Sequence, residues 1–558
     1  MNKKESGEHS PKIKLAKDYK EPPRVRESGG KDGKVDCGKK QSHHEPPSLP
    51  QINLTETISE MAFQTALAVR NQDIFTMEGT GDIVTIKIDP EDVSTLPMDK
   101  FRFTSWVERF AEFGRWTEKK NKTGESKNLF IRKSINTSIA EQILRADSFR
   151  DTLRPLKGVR DIRLPAWDGP GNKKLRLPEE GYDEQTLYFT VDKVPYRLDM
   201  PLEEAIAYLV RLFKDFPFIV DRSNGEPGRS LDGSHLMENR SFAVLMGLAI
   251  AAFGNDLWEG MLKCGFVTLA NQAGTGKTIL IRLAVCPPFG EVVHKPMPKT
   301  EEEIRKNLTT FLNRPIAFFD NAKGFLDSAS LEAFMTSPIY SDRILQQSKS
   351  ISGKPGFVVI SGNNLQLNKD LFRRFLVCEL FCEEEDATEV EPENPISASW
   401  PNQKENRAAL CSALWSILRH WEWEGSPKLS KGLINSYEEF SGILGGIVKS
   451  AGFSDPLHPC DAAKDEREEA TKLLLRESAR DIPPGGERQF SPQDFLQKAY
   501  ELNLTDIIVG LAKEPEKAIG HRLKKYRGLY MKDCDGRRFK VRKKDLSVGA
   551  CYIIKVEK

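Results

Sequence analysis

One stretch constrains this chain more than any other: Ala273-Gly274-Thr275-Gly276-Lys277-Thr278, set between two apolar runs. Gly265 to Ala270 reads as a buried strand, and Ile279 to Ala284 reads as helix. Strand, glycine loop and helix in that order open an α/β P-loop core. Backbone N–H groups of a glycine loop approach phosphate oxygens closely, and the helix N-terminus adds a favourable field. In this pattern Ala273, Gly274, Thr275, Gly276, Lys277 and Thr278 cradle the phosphates. Lys277 reaches the β- and γ-phosphates, and Thr278 ligates Mg²⁺. ATP and Mg²⁺ are therefore the expected ligands. The pattern asks for glycine five residues before Gly276, where this chain has Asn271.

With 558 residues the chain exceeds a single core, and several domains are expected. A hydrophobic fraction of 39% and a charged fraction of 29% suit a soluble globular protein. The formal net charge of +2 says little about partners, so local clusters must carry that inference. The nine cysteines are dispersed without paired CxxC spacing, which argues against a zinc site and for reduced thiols in a cytoplasmic protein. The longest apolar stretch, Phe242 to Phe253, is too short to span a bilayer, so no membrane association is expected.

Composition divides the chain. Residues 1–50 are rich in Lys, Glu, Pro, Gly and Ser and read as a disordered tail. Residues 51–200 read as an N-terminal α+β accessory domain. Helices are expected over Thr55–Arg70, Phe103–Phe113 and Ile139–Leu144, and strands over Ile83–Ile88 and Thr186–Val191. The aromatics here read as core. Residues 201–395 form the expected P-loop core, 396–485 a helical domain, and 486–558 a small C-terminal domain.

Turnover of a bound triphosphate needs more than a loop: a carboxylate for the metal, a group placing water, and positive charge at the γ-phosphate. Arg314 to Asp320 is an apolar strand ending in an acid, so Asp320 is the metal-holding candidate. Asn321 follows where many ATPases have Glu; it orients water but cannot take its proton. Gly356 to Asn364 is a second apolar strand ending in a polar pair, and Asn363 is favoured over Asn364 as the γ-phosphate sensor. Arg373 and Arg374 precede a last strand and are candidates to reach the nucleotide of a neighbouring subunit, with Arg343 a weaker one.

With these motifs in order, the chain resembles replication ATPases of phages and mobile elements, helicases or primase-helicases of the superfamily 3 and AAA+ type. The matching phrases are Ala273 to Thr278, Phe319-Asp320-Asn321, Ser341 to Leu345, and Ser361 to Leu365 with Asp370 to Arg374. Gly181 to Tyr188 and Ser436 to Gly446 are two further family-like phrases. Members of this kind often share the Asn after the acid and lack the first loop glycine. The resemblance implies an oligomeric, hexameric DNA-dependent ATPase that moves on or opens single-stranded or forked DNA beside other replication proteins. No separate primase domain is visible.

The C-terminus points to DNA independently. Lys517 to Lys544 holds twelve Lys or Arg against Asp533 and Asp535. Glu516 to Tyr526 reads as a helix, and Gly528–Lys532 pairs with Arg538–Arg542 around Asp535-Gly536, a winged-helix-like layout. The candidate DNA contacts are Arg522, Lys524, Lys525, Arg527, Arg537, Arg538 and Lys540. Two functions stay open: an ATP-dependent DNA helicase or translocase, and an ATP-switched DNA-binding regulator or loader without unwinding. A small-molecule phosphotransferase fits the basic C-terminus poorly.

Overall fold

The structure is a computed structural model. It describes residues 49–558 except 91, 121–125, 170–173, 222–226, 230–232, 344–349, 383–391, 460–465, 510–513, 524, 525, 527, 529, 547, 548 and 558. The expected disordered tail therefore lies outside the described residues apart from its last two. All that follows concerns the unit Gln51–Lys558.

At the centre lies a five-stranded sheet in the order His294–Pro296, Ile316–Leu326, Phe357–Leu367, Gly265–Ala270, Phe375–Leu380, with every neighbouring pair parallel. Parallel strands covered on both faces read as continuous apolar runs, and these do apart from the exposed edge strand His294–Pro296. Alternate residues divide between two cores. Phe266, Phe318, Val359 and Leu376 face one; Val267, Phe319, Ile360 and Val377 face the other. The first face is covered by the helices Arg240–Phe253, Lys277–Phe289, Lys404–Trp423 and Glu438–Ser450. The second carries Glu301–Thr310 and Ala329–Thr336. The helices after residue 396 thus share one core with the sheet, and that core does not divide at the expected 395/396 boundary.

The N-terminal segment builds its own core from Met61, Val69, Phe103, Phe113 and Phe149. Its first helix is Ile58–Val69, capped by Thr57, whose hydroxyl accepts from the Glu60 N–H at 3.3 Å. The expected helix over Phe103–Phe113 runs only from Lys100 to Val107, and Glu112 opens a strand ending at Lys120. That strand pairs in parallel with Gln51–Asn53 and antiparallel with Ser126–Arg132. These distant partners override the local helical spacing. Phe113 is buried as expected, whereas Trp116 is half exposed.

The C-terminal segment is a four-stranded antiparallel sheet, Glu487–Phe490, Gly549–Val556, Arg538–Leu546, Tyr530–Lys532, with helices packed on one face. The expected hairpin forms, with Tyr530 opposite Lys540 and Lys532 opposite Arg538. It belongs to a full sheet instead of a free two-stranded wing. Ala470, Leu474 and Leu475 of the helix Glu466–Arg480 join this core, so the core begins upstream of residue 486. Among the described residues no helix is long and apolar enough to cross a membrane, and no cluster of metal-ligating side chains occurs.

Candidate functional site

The strand Gly265–Ala270 ends at the C-terminal edge of the central sheet, where the glycine loop begins. Gly274 (φ 83°) and Gly276 (φ 82°) both take the left-handed conformation that glycine adopts without strain. A Cβ on Gly276 would also stand 3.1 Å from the Phe216 ring. Gly276 is the N-cap of the helix Lys277–Phe289, and no side chain caps that helix. Its first N–H groups are therefore left for another acceptor.

Lys277 is 7% exposed. Its ammonium donates to the Thr275 hydroxyl at 3.0 Å and to the Gln272 carbonyl at 3.2 Å, both neutral acceptors. Burial pulls its pKa below the ordinary lysine range, and the charge of Asp320 opposes that. A buried cation with neutral partners beside an uncapped helix N-terminus suits an anionic ligand.

Asn271, the departure from the glycine pattern, has a definite place. Its amide nitrogen donates to the Cys382 carbonyl at 2.8 Å, and its carbonyl oxygen accepts from the Cys382 N–H at 3.0 Å. Phe381 beside it donates to the Pro217 carbonyl at 2.7 Å. Asn271 thus ties the start of the loop to the chain leaving the neighbouring strand Phe375–Leu380.

Asp320 lies against this loop. The Thr278 hydroxyl donates to its two carboxylate oxygens at 3.0 and 3.1 Å, and the Ser361 hydroxyl also donates to it. One hydroxyl and one carboxylate at that spacing form an oxygen donor set of the kind Mg²⁺ takes. Past Phe319 the pairing with Phe357–Leu367 slips, and Asn321 sits in the slip at φ 56°. The Asn321 N–H donates to Ser361 Oγ at 3.0 Å, while its side chain is exposed. Ser361 therefore joins Asp320 to Asn321, a role sequence reasoning missed. Its one signal was a hydroxyl breaking the run Phe357 to Ile360.

Asn363 is in register with Ala270, the last residue before the loop. Its side-chain oxygen is buried and has no hydrogen-bond partner among the described residues, so it can accept from a donor such as water. The side chain of Asn364 lies outside the described residues.

The two arginines separate. Arg373 is 55% exposed and, among the described residues, pairs with Asp370 of its own turn at 3.2 Å. Arg374 is 13% exposed and faces Glu332 at 3.9 Å and the Tyr437 hydroxyl. Tyr437, at the start of Glu438–Ser450, is buried and donates to the Met335 carbonyl at 3.3 Å. Arg374 is thus drawn into internal packing, which leaves Arg373 the outward member of the pair. Arg343 is exposed at the end of the strand Tyr340–Arg343, whose first residue is buried.

At the C-terminus the alternation of strand residues sorts the basic side chains. Arg538, Lys540, Arg542, Lys532 and Lys555 share the outer face, opposite Phe539, Val541 and Ile554 in the core. Tyr530 lies among them, 53% exposed, with the Arg538 guanidinium and the Lys540 ammonium each 4.7 Å from its ring centre. Lys532, Arg542 and Lys555 were not singled out from sequence; their period-two spacing was the available signal. Arg537, an expected contact, turns inward instead. It donates to the buried Asp533 at 2.8 Å and to the carbonyls of Ile482 and Arg480. Arg522 is exposed on the helix Pro515–Leu523. Lys524, Lys525 and Arg527 lie outside the described residues.

No protein-family model matches the chain, and no curated protein does. Among solved structures it is similar to the NrS-1 C-terminal region in its A-form apo structure, at 13% identity and a TM-score of 0.36, covering 87% of this chain and 96% of that one. It is also similar to the active helicase Cch of SCCmec type IV, at 12% identity and a TM-score of 0.32, covering 79% and 88%. TM-scores this low assign neither fold nor function.

Proposed function

We propose that the chain is an ATP-dependent DNA helicase or translocase with an AAA+-like, superfamily 3-like P-loop core, working as a homo-oligomer, a hexamer by family resemblance, in cytoplasmic replication of a phage or mobile element. The observation that carries this reading is the buried Lys277 ammonium at an uncapped helix N-terminus, 2 residues from Thr275 and beside the Thr278–Asp320 pair. Bound ATP and Mg²⁺ would supply the electrophilic phosphorus and the charge that neutralises the phosphates. Lys277 and the N–H groups of Gly274 to Thr278 bind the phosphates. Thr278 and Asp320 hold the metal, and Ser361 fixes the Asp320 carboxylate. Asn363 accepts a hydrogen bond from the attacking water. Arg373, the outward arginine, is the better placed of the pair to serve a neighbouring subunit. The basic outer face around Tyr530 binds DNA through phosphates, so affinity falls steeply with salt.

The alternative, an ATP-switched DNA-binding regulator or loader, is favoured by one feature. Asn321 occupies the usual base position and cannot accept a proton. Two assays separate the readings: ATP hydrolysis with and without single-stranded DNA, and strand displacement on a forked duplex. Hydrolysis stimulated by DNA together with displacement supports the helicase. Stimulated hydrolysis without displacement rejects it for the regulator, and a wild-type chain without hydrolysis rejects both catalytic versions.

A further inference from the structure

The strand Ile316–Leu326 does not stop at Asp320. It continues to Leu326, still paired with Phe357–Leu367. Strand residues alternate between the two faces of a sheet, and parallel partners in register share a face. Phe318 and its partner Val359 face the core that the helix Lys277–Phe289 covers, while Phe319 and Ile360 face the other core. Asp320 therefore falls on the side of Lys277–Phe289, where Thr278 and Ser361 donate to it.

Unbroken alternation would put Lys323 on the opposite side from Asp320. The slip prevents this. Asn321 is one extra residue at φ 56°, and after it the pairing resumes with Ala322 opposite Gly362 and Lys323 opposite Asn363. Ala322 is buried in the second core, so Lys323 returns to the side of Asp320. Bulges beside active sites re-aim side chains in this way. Lys323 thereby shares a cross-sheet row with Asn363 and Ala270, the row at which the glycine loop begins.

Lys323 is exposed, and its ammonium makes no hydrogen bond or ion pair among the described residues. It engages neither Asp320 nor the buried Asn363 oxygen, which has no partner among those residues. A bland role exists. The flanking strand His294–Pro296 pairs only as far as Asp320, so Lys323 lies on an open edge, where lysine keeps other strands away. That role is served from either face. It does not account for a cation brought to the one face that holds Thr278, Asp320, Ser361 and Asn363.

We propose that Lys323 is a further catalytic residue: its ammonium donates to a γ-phosphate oxygen of the bound ATP and holds the charge that shifts as the phosphoryl group is transferred. This rests on the ATPase reading above. In the step, water adds to the γ-phosphorus, the bond to the β,γ-bridging oxygen breaks, and ADP leaves with that electron pair. The proton of the water passes to a phosphate oxygen, because neither Asn321 nor an ammonium accepts one. Lys277 lies at the loop and serves the β-phosphate as well as the γ-phosphate. Lys323 stands one strand beyond Asn363 from the loop. It meets the γ-phosphate alone and so separates triphosphate from diphosphate.

The test compares two ligands of the full chain in the presence of Mg²⁺: ADP, and the non-hydrolysable β,γ-imido analogue of ATP, each by isothermal titration. Lys323→Gln should weaken the triphosphate analogue by about 10- to 150-fold, the share of one charged hydrogen bond, and leave ADP affinity unchanged. Turnover at saturating ATP should also fall, and Lys323→Arg, which keeps the charge, should recover part of both losses. Lys277→Met should lose both ligands. ADP binding doubles as the check that each Lys323 variant is folded. A wild type that binds neither nucleotide overturns the ATPase reading and this inference together. A wild type that binds both, with Lys323→Gln keeping the wild-type ratio of the two affinities or the wild-type turnover, overturns this inference and leaves the ATPase reading standing. Loss of both ligands in Lys323→Gln and Lys323→Ala alike also overturns it, since the lysine would then support the fold and not the γ-phosphate.

Discussion

Replacing Asn271 by glycine restores the usual loop pattern and should nonetheless weaken the site. The wild-type amide makes two hydrogen bonds to Cys382, at 2.8 and 3.0 Å, and both are lost in Asn271→Gly. Each neutral bond is worth about 0.5–1.5 kcal/mol net, so the pair holds the loop by about 1–3 kcal/mol. If that ordering must be regained on binding, affinity for a fluorescent ATP analogue falls roughly 5- to 150-fold. Asn271→Asp gives no relief, because a carboxylate oxygen would then face the Cys382 carbonyl. Two measurements check this: titration with the analogue, and hydrogen exchange at the Cys382 amide, whose protection should drop in Asn271→Gly. If Asn271→Gly binds as tightly as wild type and keeps Cys382 protected, the tie contributes nothing and the reasoning fails.

Other consequences can be read from the same contacts. Lys277→Met should abolish nucleotide binding and raise the thermal midpoint of the free chain. Burial lowers the folded-state pKa of this lysine, so its charge opposes folding below that pKa and the penalty fades as pH rises through it. A variant melting below wild type at neutral pH would contradict this. Arg374→Ala should cost about 1–3 kcal/mol in denaturant unfolding, because Glu332 and the Tyr437 hydroxyl oxygen lose their neighbouring guanidinium. Arg373→Ala should leave stability within about 0.5 kcal/mol and lower turnover only in the assembled protein; equal destabilisation by both would erase the distinction. Burial alone would push the Asp183 carboxyl up, but Arg176 and Thr186 outweigh it and bring it down to about 2. Its contribution is present above the unfolded value of about 4 and is lost as pH falls from there through about 2. Asp183→Asn should flatten the acid limb in that window, which melts across acidic pH would reveal.

What was legible in the chain follows the reach of each interaction. The glycine loop was legible because strand, loop and helix are contiguous and glycine at positive φ has a local cause. Asp320 was legible as the acid closing an apolar run. Ser361 was not, since its meaning arises only when two strands lie side by side and the pairing slips at Asn321. The helix ending at Val107 was overextended for the same reason. Phe113 continues the aromatic spacing locally, but its strand partner is Ile52 on one side, and the Lys133 N–H donates to its carbonyl at 2.7 Å on the other.

The two family-like phrases outside the loop show how resemblance and geometry divide the labour. In Gly181 to Tyr188, Asp183 accepts from the Gln185 and Thr186 N–H groups and pairs with Arg176 at 2.6 Å, which closes a hairpin. In Ser436 to Gly446, Tyr437 meets Arg374 and Met335, and a Cβ on Gly446 would lie 2.0 Å from the Pro427 carbonyl. Both phrases therefore have structural causes that would conserve them without chemistry. The same test applied to the loop gives the opposite answer. Burying the Lys277 ammonium against neutral acceptors and burying the Asn363 oxygen without a partner among the described residues each cost stability, and the helix after the loop has no side-chain cap. These features converge on one sheet edge and have a common physical cause if an anionic ligand with an ordered water occupies it.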